Sequence, residues 1–152
     1  MATVRIDQKR HALVRAVPNS FTDALANFFG SGPSDVGLAR LTHKAYCSTL
    51  EDNGVKVTVI PADDDYPDST FVEDTAVLLP PCAIVANPGV KSRRREIDTV
   101  ENFLKREFSE IEKIVEPGTL EGGDILEAEN HFYIGISERT NHTGADQLLD
   151  IL

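Results

Sequence analysis

A chain of 152 residues, 41% hydrophobic and 26% charged, is long enough for one domain with a buried core and sits in the ordinary globular range. Its formal net charge of −10 excludes nucleic acid as a main partner, because a phosphate backbone is met by clustered Lys and Arg, and it makes small cations the more natural guests. Cys47 and Cys82 form neither a disulfide framework nor a metal-ligand spacing and read as buried free thiols; the N-terminus has no apolar core, and no stretch could span a bilayer, so a cytoplasmic protein without membrane contact is predicted.

Residues 11–17 read as a buried strand closed by Pro18-Asn19-Ser20. A poorly patterned stretch with Phe21, Phe28 and Phe29 follows and ends in the turn-rich Gly30-Ser-Gly-Pro-Ser34, which has the composition of a lid. Ser34 or Asp35 caps a helix whose apolar positions Leu38, Leu41, Ala45 and Thr49 or Leu50 have helical spacing; Asn53-Gly54 stops it, and 55–60 is a strand. Residues 71–79 and 82–87 are predicted strands joined through Pro80-Pro81, followed by a helix over 93–108 with Ile97, Val100, Leu104 and Phe108 on one face, and a strand over 111–115. The order strand, strand, helix then begins again: strands over 124–128 and 132–136 flank Glu129-Asn130, and Asn141 caps a helix bearing Ala145, Leu148, Leu149 and Leu152.

This recurrence, with a period of about 50 residues, predicts an α/β architecture of repeated ββαβ units that bury one another's apolar faces, as in a propeller or solenoid. A single domain over 1–152 divides into units near 8–62, 66–116 and 117–152. The first is one strand short, and the last stops on apolar Leu152 without a closing strand, as expected of a fragment.

Three stretches carry chemistry. Tyr66-Pro-Asp-Ser-Thr-Phe-Val-Glu-Asp74 puts Asp68, Glu73, Asp74 and the Phe71 ring at one strand entrance; acids are depleted in strands and repel one another unless a cation is shared, the alternative being a solvated strand start. In a regular strand Phe71 and Glu73 face one side and Asp74 the other, so one pocket needs a bend there. Leu120-Glu-Gly-Gly-Asp124 sets an acid against two glycines before a strand, either as a tight turn or as a close backbone approach with Glu121 placed to orient a histidine. Arg93-Arg94-Arg95 behind Ser92 puts three cations at a predicted helix start, against the macrodipole; Glu96 and Asp98, or an anionic ligand, would compensate. Arg139 holds the matching strand-to-helix junction one repeat later. The four histidines lack ligand spacing, Asp63-Asp64-Asp65 resembles a calcium loop only in charge, and neither a metal site nor a cofactor motif is present.

Taken in order, Asp68, Phe71-Val-Glu-Asp74, Pro88-Gly89-x-x-Ser92-Arg93-Arg94, Leu120-Glu-Gly-Gly-Asp124 and Gly135-Ile-Ser-x-Arg139-Thr-Asn141 resemble the dimethylarginine dimethylaminohydrolase family. It belongs to the guanidine-modifying superfamily with arginine deiminase and the amidinotransferases. The resemblance implies a β/α propeller of five ββαβ units (a pentein), about half of it in this chain. It further implies that Asp68, Glu73 and Asp74 hold a substrate guanidinium with Phe71 as an aromatic wall, and that Arg93 and Arg139 bind the amino-acid carboxylate. By the same resemblance Glu121 would be the catalytic acid that orients a histidine.

The implied reaction is attack of a Cys thiolate on the guanidinium carbon, departure of an amine protonated by His, and hydrolysis of the thiouronium to citrulline. No residue here matches the family's His or Cys; Cys47 falls on a predicted helix and Cys82 in a strand, so the chain alone is predicted inactive. Its partner is a small molecule, methylarginine or arginine, and it forms a homo-oligomer or pairs with the missing half of the ring. The alternatives are part of an arginine deiminase-like enzyme or a noncatalytic arginine-binding or assembly module.

Overall fold

In the computed structural model, residues 10–25, 35–129 and 131–152 are described, in two compact units that divide between Thr70 and Phe71. Gly30 to Ser34, Phe28, Phe29 and Asn130 lie outside the described residues. Each predicted strand and helix forms, most of them shorter than read from the sequence.

In the first unit, β1 (His11–Arg15) and β2 (Lys56–Ile60) pair in parallel, His11 opposite Lys56 and Arg15 opposite Ile60. Parallel neighbours need a crossover, which α1 (Val36–Asp52) supplies. Asp35 caps it, its carboxylate accepting the Leu38 amide at 3.0 Å, and Gly54 at φ 78° ends it. The predicted apolar face of α1 is corrected: Leu38 and Leu41 are exposed, and Val36, Ala39, His43, Cys47 and Leu50, also at helical spacing, are the half-buried positions. The core here is Val14, Val17 and Ile60, and a 3-10 turn, Asn19–Asp23, follows β1.

The second unit begins with a 3-10 turn, Val72–Thr75, where a strand was predicted; β3 starts only at Ala76 (Ala76–Leu79). It pairs antiparallel with β4 (Cys82–Val85), which pairs in parallel with β5 (Glu110–Lys113) across α2 (Ile97–Glu107). This is the expected strand, strand, helix, strand order. The unbroken apolar run of β4 follows from its central place, with Ala83, Ile84 and Val85 all buried. α2 turns Val100 and Leu104 inward. Glu101 beside them is held ionised by Lys105 and Lys113, whose hydrogen bonds pull its carboxyl below the ordinary range.

The pattern restarts with β6 (Ile125–Ala128) and β7 (His131–Ile134), antiparallel, and α3 (His142–Ile151), capped by Asn141. A lone bridge, Asn87 to Leu120, stitches this repeat to the preceding one. The core joins both: Val77, Ile84, Ala86 and Ile114 from the first, Leu120 and Leu148 from the second. Leu148 is therefore fully buried, whereas Leu149 and Leu152 are exposed. No helix among the described residues is long and apolar enough to cross a membrane.

Candidate functional site

The second unit gathers most of the charged motifs into one buried cluster. Arg93 is its centre, 3% exposed. It lies in a short 3-10 turn, Lys91–Arg93, ahead of α2, so the predicted placement of Arg93, Arg94 and Arg95 in the first turn of a helix capped by Ser92 is corrected. Arg93 Nε donates to Glu96 Oε2 at 3.1 Å and its NH2 to the same oxygen at 2.9 Å, a fork on a buried carboxylate. Its NH1 donates to Asp74 Oδ2 at 2.8 Å and lies 3.5 Å from Glu121 Oε2. Burial works against the Arg93 charge, but hydrogen bonds to Glu96 and Asp74 outweigh it and raise the pKa above the ordinary arginine value.

Arg139 approaches the same oxygen from another side: its NH1 donates to Glu121 Oε2 at 3.2 Å, and its side chain is 36% exposed. Glu121, 1% exposed, thus has one oxygen bracketed by two guanidinium groups, while Oε1 is buried with no hydrogen-bond partner among the described residues. Burial, and then the Asp74 charge, push its carboxyl above the ordinary range, against the pull of Arg93 and Arg139.

Backbone packing holds the cluster. The 3-10 turn Gly122–Asp124 lies directly on the turn Val72–Thr75. A Cβ on Gly122 would overlap the Glu73 carbonyl oxygen and stand 2.7 Å from that of Ala76, so only glycine permits this approach. Gly89 does the same for Arg139, whose Cα and carbonyl oxygen would each lie 2.8 Å from an added Cβ.

Of the sequence-predicted residues, the structure brings together Asp74, Arg93, Glu121 and Arg139. Phe71 precedes the same 3-10 turn and Glu73 lies in it, both exposed; the backbone bends there, so a regular strand no longer sets Glu73 against Asp74. Asp68 belongs to the first unit, where it is buried and its Oδ1 accepts the Leu25 amide at 3.0 Å. Its loop is tied to the β1 exit through Asp64, which accepts Asn19 N at 2.6 Å and Asn19 Nδ2 at 2.7 Å, and through Asp63, 3.5 Å from the buried Arg15 guanidinium.

Sequence reasoning treated Glu96 only as a charge partner and gave no role to Ser137 and Thr140, although both flank Arg139 in a quoted motif. The thiols are half-buried rather than buried, and burial first, then nearby carboxylates, push both pKa values up. Cys47 Sγ lies 3.8 Å from His43 Nδ1. Among the described residues no group of three or more His, Cys, Asp or Glu is arranged to hold a metal ion.

Comparison with known proteins places these residues in a family. A family profile described as N,N dimethylarginine dimethylhydrolase, eukaryotic, matches residues 34–151. The chain is 40% identical to an N(G),N(G)-dimethylarginine dimethylaminohydrolase of Pseudomonas aeruginosa over 94% of its own length and 56% of that protein's. It is 36% identical to the protein of that name from Streptomyces coelicolor, over 91% and 54%. A solved dimethylarginine dimethylaminohydrolase of Pseudomonas aeruginosa, a cysteine-to-serine mutant complexed with citrulline, superposes with a TM-score of 0.90 at 39% identity, covering 93% of this chain and 56% of that one. The chain spans about half the length of these relatives. With a profile match over most of its length and relatives 40% and 36% identical across more than nine tenths of it, the chain belongs to the dimethylarginine dimethylaminohydrolase family.

Proposed function

We propose that this chain carries the ligand-binding part of a hydrolase that converts methylated arginine to citrulline and a methylamine, within a propeller of ββαβ units of which it forms about half. The observation that supports this best is the buried Asp74, Arg93, Glu96, Glu121 and Arg139 network, whose three carboxylates exceed its two cations. A planar guanidinium, with several N–H donors, suits that excess.

In this reading Asp74 and Glu73 take the guanidinium, and Phe71 walls its plane. Arg93 and Arg139 take the carboxylate end; Arg139 has the accessible guanidinium, and Arg93 is shared with the acids around it. Glu121 Oε1, buried and without a partner among the described residues, is the acceptor that would orient a histidine by its ring N–H. The citrulline held by the solved Pseudomonas relative is the expected product. A thiolate would attack the guanidinium carbon, the amine would leave with a proton from histidine, and water would release citrulline from the thiouronium. Cys47 and Cys82, both raised in pKa, lack the electropositive surroundings of an activated thiol, which supports a nucleophile and a histidine outside these residues.

The proposed partners are a small guanidine and either a second copy or the remainder of the ring, in the cytoplasm. Calorimetry with citrulline and arginine tests the binding reading: heat from the wild-type chain, weakened about tenfold or more in Asp74→Ala and Arg139→Ala, is expected for lost charge-assisted contacts. Absence of heat from the wild type would overturn it. Incubation with methylated arginines should yield no citrulline; clear turnover by the purified chain would refute the placement of Cys and His elsewhere.

A further inference from the structure

Asp124 ends the 3-10 turn that follows Glu121, and its Oδ2 accepts two hydroxyl hydrogen bonds, from Thr140 Oγ1 at 2.6 Å and from Ser137 Oγ at 2.8 Å. A carboxylate only accepts, so both hydroxyls direct their protons at it and leave their lone pairs for other donors. Those lone pairs are occupied. Thr140 Oγ1 accepts the Glu121 amide at 3.1 Å; Ser137 Oγ accepts the amides of Arg139 at 3.0 Å and Thr140 at 3.1 Å. The Ser137 amide donates back to the Thr140 carbonyl at 2.9 Å, closing the loop. The backbones of Glu121 and Arg139, whose side chains meet at 3.2 Å, are therefore mounted on one carboxylate oxygen.

The turn itself needs no carboxylate at this place. In the preceding repeat Thr75 stands where Asp124 does: its carbonyl accepts the Ala86 amide at 2.9 Å, as that of Asp124 accepts Gly135 at 2.8 Å. The Thr75 hydroxyl bonds back to the Val72 carbonyl at 2.6 Å, inside its own turn. The same turn and strand entry thus form with a side chain that reaches nowhere. The acid in the second repeat answers to the loop in front of it.

We propose that Asp124 is a positioning residue for the carboxylate end of the ligand: through Ser137 and Thr140 it holds Arg139 in place against Glu121 before the ligand arrives. The inference rests on the proposal that Arg139 meets a ligand carboxylate. Asp124 itself touches no ligand. Its contribution is to remove the ordering of a long, half-exposed side chain from the cost of binding.

The test uses the whole chain, isotope-labelled, as wild type and as Asp124→Asn, Ser137→Ala, Thr140→Val and Thr140→Ser. The first readout needs no ligand: the titration midpoint of the Glu121 carboxyl, followed by carbon NMR. Loosening Arg139 should raise that midpoint in Asp124→Asn, Ser137→Ala and Thr140→Val and leave it unchanged in Thr140→Ser, which keeps the hydroxyl. A merely structural role would lower the melting temperature and leave the midpoint alone. Unchanged midpoints in folded Asp124→Asn or Ser137→Ala therefore overturn the proposal; Ser137 is exposed, so its variant remains informative if Asp124→Asn does not fold. The second readout is calorimetry with citrulline and with an alkylguanidine lacking the carboxylate. Asp124→Asn should weaken citrulline about tenfold, as loss of a supporting contact typically does, and spare the alkylguanidine. Equal weakening of both overturns the proposal. If the wild type binds neither, the binding reading fails and the Glu121 midpoint alone decides the placement of Arg139.

Discussion

Glu121 sits where burial works against its charge. Its folded pKa lies above the unfolded one, so between the two values the folded chain holds the proton more tightly, and stability falls as pH rises through that window. Glu121→Gln removes this dependence. Calorimetric melting over a pH series should show the variant gaining on the wild type from acid toward neutral pH and then running parallel; a difference independent of pH would contradict the assignment. Asp74, Glu121 and Arg139 were legible in the sequence because charges in short motifs are visible without a fold. Glu96 and Arg93 were only half legible: the compensation was foreseen, but not that both would be buried, since burial depends on what packs over them. The hydroxyls of Ser137 and Thr140 left no signal, because a serine or threonine beside an arginine is commonplace until distances are known.

At the scale of elements, the two 3-10 turns decide the site. The sequence read Phe71 to Leu79 as one strand and registered the conflict that alternation would create; a four-residue turn resolves it, and such turns are too short to leave a periodic trace. The glycine pair of Leu120-Glu-Gly-Gly-Asp124 did carry a signal, a close backbone approach, though not what is approached. Gly122→Ala tests that contact. Its Cβ would meet backbone rather than a movable side chain, so a loss of about 1–3 kcal/mol or more is expected in denaturant unfolding, along with a weakened citrulline response. A neutral effect would show that the turns can separate freely. For α1 the helix was legible and its inner face was not, because two stripes share the helical spacing and only packing chooses between them.

For the whole molecule, the repeat of strand, strand and helix was the most legible property, since it is written twice in apolar periodicity. The net charge of −10 is equally plain, and its consequence is self-repulsion. Raising salt from about 10 mM to about 150 mM shortens the screening length to roughly 8 Å and should raise the melting temperature at pH 7; a decrease would mean that the ion pairs outweigh the repulsion. The bridge from Asn87 to Leu120 and the seat of Gly122 on the Glu73 carbonyl have a consequence for how the chain folds. Asp74, Arg93 and Glu96 come from one repeat and Glu121 and Arg139 from the next, so every strand and helix can form while the ionic cluster is still open. Closing it requires one repeat to dock on its neighbour. The Arg93–Glu121 contact is then the one that reports docking, whereas the Arg139–Glu121 pair lies within a single repeat.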